Sequence, residues 1–125
     1  MQNQNVKPKA DLKDRTYAYA LKVINFIDTL PKDKTTEVIA NQLLRSATSI
    51  GANIIEARGS SSKRDFANFF SYSLKSANES IYWLELLRDA RKANGPEMSF
   101  LIDETEQIAK MLGASLLTMK GKREI

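Results

Sequence analysis

NQLLRSATSIGANIIEARGSSSKRDFANFFSYSLKSANESIYWLELL, residues 41–87, decides the fold. Two long stretches with apolar residues at helical spacing flank one short polar break, Gly59 to Ser62. In the first stretch Ile39, Leu43, Ala47, Ile50 and Ile54 recur every three or four residues, which places them on one face of a helix ending near Arg58. In the second, Phe66, Phe70, Leu74, Ala77, Ile81 and Leu84 do the same. Ser62 with Asp65 has the spacing of a capping box and should open that helix, which is expected to run to about Ala93. Strand-like alternation is absent from both.

Working outward, Pro31 lacks an N–H and restricts the residue before it, so a first helix should begin after Asp11 and stop at Leu30. Its expected apolar face is Tyr17, Ala20, Leu21, Ile24, Ile27 and Leu30. Asn94, Gly95 and Pro96 make a third break. Pro96 then suits the first turn of a fourth helix lined by Leu101, Ile108, Met111, Leu112, Leu116 and Met119. Breaks this short favour antiparallel neighbours, giving an all-α, up-down-up-down four-helix bundle over residues 11–120. Residues 1–10 read as a flexible basic tail, and residues 121–125 as a second tail.

A chain of 125 residues with 42% hydrophobic content suffices for one core and is too short for two ordinary domains. No apolar run approaches a membrane span, and the first ten residues resemble neither a secretory signal nor a transit peptide, so a cytoplasmic protein is expected. Zero cysteines and zero histidines remove thiol chemistry, the commonest general base and the commonest zinc ligands. A non-enzymatic protein without cofactor or metal is the expectation.

The second helix also carries a polar stripe, Gln42, Arg45, Ser46, Ser49, Asn53 and Glu56, and the third a comparable one, Asn68, Ser71, Lys75, Asn78, Glu79 and Tyr82. A catalytic constellation of Arg45, Lys75, Glu79 and Tyr82 lacks a histidine, an activated nucleophile and metal-ligand spacing. The favoured reading is structural: the stripes meet at a helix seam or subunit contact, with Arg45 paired to Glu79 or Glu56. Trp83, with Phe69, Ser76 and Leu87, forms a further stripe beside the core, which points to a subunit interface. The small residues Ala47, Gly51 and Ala52 would let a neighbouring helix approach closely.

Net charge is +4, from 19 basic and 15 acidic residues, with a pI near 9.4. In an antiparallel bundle the surplus falls at one pole. Lys7, Lys9, Lys13, Arg15, Arg58, Lys63, Arg64, Lys120, Lys122 and Arg123 lie there against Asp11, Asp14, Glu56, Asp65 and Glu124, while the opposite end balances. Such a pole can hold phosphates, and its bland alternative is a pair of solubilising tails. The candidate contacts for RNA or DNA are Arg15, Arg58, Lys63, Arg64, Lys120, Lys122 and Arg123. The alternative partner is a protein, taken up on the Trp83 face or a bundle end.

The segments at residues 11–31 (DLKDRTYAYALKVINFIDTLP), 41–57 (NQLLRSATSIGANIIEA) and 61–87 resemble the 23S rRNA intervening-sequence proteins, a family of four-helix bundles. The string from Gln42 to Glu56, with Arg45, Ser46, Ser49, Gly51, Ala52 and Asn53, is its most specific part, and the fourth helix matches only in general pattern. The resemblance implies a barrel-like homopentamer, in a family first noticed inside insertions of 23S rRNA genes. More distantly the chain is similar to the accessory variability protein of diversity-generating retroelements, a pentameric bundle that binds nucleic acid and a reverse transcriptase. The resemblance brings no established catalytic residues. It implies structural or interfacial roles for Arg45, Ser49, Asn53, Lys75 and Glu79.

Overall fold

The computed structural model describes residues 11–124, with side chains through residue 121, so the expected tail at residues 1–10 lies outside the described residues. Four helices follow one another: α1 (Leu12–Ile27), α2 (Lys34–Arg58), α3 (Lys63–Asp89) and α4 (Pro96–Glu124). No strand occurs among the described residues. The fourth helix continues through Glu124, past residue 120 where a tail was expected.

The starts follow local chemistry. Asp11 caps α1 by accepting from the Lys13 amide, Asp33 caps α2 by accepting from the Thr36 amide at 2.9 Å, and Ser62 caps α3 by accepting from the Asp65 amide at 3.0 Å. Two ends come earlier than the periodicity predicts. α1 stops at Ile27 and spends residues 28–30 in a turn before Pro31. α3 stops at Asp89 rather than Ala93 because Arg91 adopts φ 63°, letting the Lys92 amide donate to Leu87 O at 2.9 Å and the Arg91 amide to Arg88 O at 3.0 Å. This is the Schellman closure, made here with an arginine in place of the usual glycine.

The core is built from Tyr19, Val23, Phe26 and Leu30 of α1 and its following turn, Leu43, Ala47, Ile50 and Ile54 of α2, Phe70, Ala77, Leu84 and Leu87 of α3, and Met98, Leu101, Ile108 and Leu112 of α4. The α2 stripe is as expected, with Ile39 half-buried beside it. The face expected for α1 is met only at its end, where Leu30 is buried and Ile27 half-buried. Tyr17, Leu21 and Ile24 are 67%, 47% and 39% exposed, while Thr16, Tyr19, Val23 and Phe26 turn inward. Apolar residues lie on two sides of α1, and the aromatics Tyr19 and Phe26 bury the larger surface by filling the centre.

Neighbouring helices pack in the order α1–α2–α3–α4, with α4 returning to α1. Four buried hydroxyls, one from each helix, pair across the core. Thr105 of α4 meets the Tyr19 hydroxyl of α1 at 2.6 Å, and Ser80 of α3 meets Ser46 of α2 at 2.8 Å. Ser73 adds a cross-helix bond, donating to Ile50 O at 2.8 Å. Thr105 and Ser80 also donate to carbonyls one turn back, Leu101 O and Ser76 O, so these buried groups are satisfied.

Gly51 sits where α1 crosses α2: a Cβ there would lie 3.1 Å from Thr16 Oγ1 and 3.4 Å from Thr16 Cβ. Thr16 cannot readily yield, since its hydroxyl is held by Leu12 O at 2.7 Å. Gly51→Ala is therefore expected to lower stability by under about 1 kcal/mol, despite a helix-propensity gain of about that size. Combined with Thr16→Ala the same substitution should become stabilising. Chemical denaturation of the two single variants and the double variant checks this, and an unchanged sign would count against the contact.

Candidate functional site

The basic pole assembles from three chain segments. Arg58 at the end of α2 reaches Asp11 before α1, with Nη1 3.5 Å from Asp11 Oδ1, and both side chains are half exposed or nearly so. The turn after Arg58 leads into Ser62 and the first turn of α3, so Lys63 and Arg64 follow at the same end, both exposed. The last turns of α4 arrive beside them. A cleft of about 610 Å³ between α3 and α4 is lined by Arg64, Ala67, Asn68, Ser71, Leu116 and Lys120.

Two cations, a carboxamide and a hydroxyl surround this cleft over an apolar floor of Ala67 and Leu116, and no carboxylate lines it among the residues whose side chains are described. Such a set offers charge and directed donors to an anionic oxygen, the combination that phosphate contacts use. It brings together Arg64 and Lys120 from the residues singled out in the sequence. Asn68 and Ser71 were read as part of a helix-seam stripe; their placement one and two turns after Arg64 was the signal for the cleft. Lys63 and Arg58 stand at the same pole. The side chains of Lys122 and Arg123 lie outside the described residues.

Arg15 has a different occupation. Its Nε and Nη2 donate to the two carboxylate oxygens of Glu104 at 2.7 and 2.8 Å, and Nη2 also donates to Gln107 Oε1 at 3.0 Å. The side chains of Arg15 and Glu104 are 28% and 16% exposed. The Glu104 hydrogen bond holds the Arg15 pKa above its ordinary value. The guanidinium thus clasps α1 to α4 and its donors are directed inward, away from the pole's open surface.

The second group of residues lies along the seam of α2 and α3. Arg45 and Glu56 are exposed, Ser49 and Asn53 half-buried, and Asn53 Nδ2 donates back to Ser49 O at 2.9 Å within α2. Lys75 and Glu79 are exposed on α3. Among the described residues no ion pair joins Arg45 to Glu79 or Glu56; the four that form are Arg15–Glu104, Arg58–Asp11, Arg88–Asp89 and Lys92–Asp33. What crosses the seam is Ser46 to Ser80, a smaller and more buried pairing. Phe69 and Trp83 are half-buried against the core. Tyr82 sets its ring edge-on to Trp83 at 5.0 Å and Tyr72 edge-on to Phe69 at 5.9 Å, and the buried Trp83 Nε1 has no hydrogen-bond partner.

Sequence reasoning missed a third feature. The outward apolar residues of α1, with Thr48, Gly51, Ala52 and Ile55 of α2, line a groove of about 740 Å³. The run Leu44, Gly51 and Ile55 beside the α2 core stripe was its visible trace. No helix among the described residues is long and apolar enough to cross a membrane.

A model of the 23S rRNA-intervening sequence proteins matches residues 9–114. Among solved structures, a protein of unknown function from the S23 ribosomal protein family of Bacteroides thetaiotaomicron is similar, with 35% sequence identity and a TM-score of 0.79. The likeness covers 85% of this chain and 98% of that one. No curated protein sequence matches significantly.

Proposed function

We propose that this chain, which belongs to the 23S rRNA-intervening sequence protein family, is a non-enzymatic, cytoplasmic homo-oligomer that holds RNA or DNA by backbone phosphates at its basic pole. The observation that carries the reading is the cleft in which Arg64 and Lys120 stand with Asn68 and Ser71, with no carboxylate among its described lining residues. Lys63 and Arg58 extend the same positive surface, and aligned copies would multiply it. An antiparallel arrangement supports this clustering: Ser46 pairs with Ser80 whereas Ile50, further along α2, pairs with Ser73, earlier on α3. A five-chain assembly is part of the proposal and follows the resemblance seen in residues 41–87. Arg15 leaves the set of phosphate contacts because Glu104 occupies it.

Replacing both Lys63 and Arg64 by Glu is expected to weaken binding to a generic single-stranded RNA about tenfold at moderate salt. The slope of log affinity against log salt should fall by about 1 to 2, since each lost phosphate contact removes about 0.7 to 0.9. Fluorescence anisotropy across a salt series measures both. An unchanged slope would remove these residues from the interface. A wild-type protein that shows no affinity for RNA or DNA at low salt would overturn the nucleic-acid reading and favour a protein partner on the aromatic α2/α3 side, where Trp83 Nε1 lacks a hydrogen-bond partner.

A further inference from the structure

The side chains that line the cleft between α3 and α4 are ordered along it. Arg64, Ala67, Asn68 and Ser71 recur at helical spacing and share one face of α3, while Leu116 and Lys120 lie one turn apart on α4. Arg64 belongs to the first turn of α3 and Lys120 to the last turns of α4, so both cations stand at the pole end. Asn68 follows one turn inward and Ser71 two, roughly 10 Å from Arg64 at about 1.5 Å per residue. The floor beside them is apolar: Ala67 is buried, and Leu116 is half-buried against the core. Elsewhere in the bundle such polar side chains are spent on the backbone, Asn53 donating to Ser49 O and Ser73 to Ile50 O. Asn68 and Ser71 are exposed and line the cleft instead. A lone phosphate held by the two cations would reach neither the apolar floor nor the inner hydroxyl, because its oxygens span far less than the length of the cleft.

The geometry points to one unpaired nucleotide of a single strand as the occupant, with its phosphate between Arg64 and Lys120, its base face on Leu116 and Ala67, and its base edge read by Asn68. The inference rests on the nucleic-acid part of the reading above and adds the strand form and the base that the pole selects. The cleft volume of about 610 Å³ falls within the roughly 300 to 1,000 Å³ of sites that enclose one small ligand. A duplex cannot fill it, since paired and stacked bases leave only phosphates to reach a cleft between two helices. An unpaired base can be splayed out, laid on an apolar surface and hydrogen-bonded on its free edge. A carboxamide sets a donor beside an acceptor, the complement of adenine: Asn68 Nδ2 donates to N7 and Oδ1 accepts from the N6 amine. Ser71 adds a hydroxyl that can donate or accept at the inner end. Charge then sets how tightly the pole holds any strand, and Asn68 sets which base it holds best.

The experiment measures fluorescence anisotropy of the full chain with three labelled probes: a short oligouridine, the same strand with one central uridine replaced by adenosine, and the latter annealed to its complement. The wild type is expected to bind the adenosine-containing strand about fivefold more tightly than oligouridine, the low end of what a bidentate base contact discriminates. It should bind that strand more tightly than the duplex as well, although the duplex carries the denser charge. Asn68→Ala is the matching variant. Asn68 is exposed and alanine is the better helix former, so the fold should persist, which circular dichroism verifies. The variant should bind both single strands equally, with the wild-type salt slope, because no charge has been removed. Equal wild-type affinity for the two single strands, or tighter binding of the duplex, overturns the single-nucleotide site and leaves the phosphate reading standing. An adenosine preference that survives Asn68→Ala overturns the assignment of Asn68 as its reader. A wild type that binds none of the probes at low salt overturns the nucleic-acid reading and this inference with it.

Discussion

Raising the pH from about 10 to about 12 is expected to remove roughly 2 kcal/mol of stability through one residue, Tyr19. The side chain is fully buried, and burial pushes its pKa from 10.0 up to about 12, with the neighbouring hydroxyls of Thr105 and Ser80 offsetting part of that rise. A folded-state pKa above the unfolded value means the stabilisation is complete below the unfolded value, near 10. It is lost as pH climbs through 12, because the unfolded chain releases the phenol proton first. Tyr19→Phe lacks that proton. At neutral pH the variant should be less stable by about 1 kcal/mol, having lost its bond to Thr105. At pH 12 the order should reverse, since lysine titration is common to both proteins. Urea denaturation at several pH values provides the comparison, and parallel profiles for the two proteins would show that Tyr19 does not carry the alkaline loss.

That residue also marks where the sequence stops being legible. The four helices could be placed because their breaks are chemical: Pro31 and Pro96 have no amide hydrogen, and Asp33 and Ser62 cap the amides that follow. Leu43, Ala47, Ile50 and Ile54 could be assigned to the core because they recur every three or four residues beside a polar stripe on α2. On α1 apolar residues occur on two sides, and periodicity cannot tell the side that packs inside its own bundle from one left for another surface. The sequence reading chose Tyr17, Leu21 and Ile24; the protein buries Tyr19, Val23 and Phe26. The buried hydroxyls Thr16, Ser46, Ser80 and Thr105 were hidden for a related reason. A hydroxyl counts as polar in any hydropathy pattern, yet in a helix it can return its proton to a carbonyl one turn back, as Thr16 does to Leu12 and Thr105 to Leu101. Nothing in the spacing announces that Ser46 meets Ser80 or that Thr105 meets Tyr19. The cleft of Arg64 and Lys120 was half legible: charge counting found the pole, while its partners Asn68 and Ser71 required the packing of α4 against α3.

Arg15 separates the two kinds of knowledge by experiment. Charge counting assigns it to the phosphate surface, and the structure assigns it to Glu104. Arg15→Ala is expected to cost about 2 kcal/mol of folding stability, above the surface range of about 0 to 1 because both side chains are largely buried, and below the 3 to 5 of a fully buried pair. Arg15→Lys should recover under half of that, since an ammonium cannot reproduce two parallel donors to one carboxylate. A double-mutant cycle with Glu104→Gln should return a coupling of about 1 to 2 kcal/mol. Meanwhile the salt slope of nucleic-acid binding should be the same for wild type and Arg15→Ala, in contrast to the Lys63 and Arg64 reversal. A flattened slope with intact stability would return Arg15 to the phosphate surface. The stability loss with an unchanged slope would leave Arg64 and Lys120 as the pair around which the pole's binding surface is organised, and would identify Arg15 as the tie that, with Tyr19 and Thr105, holds α1 against α4.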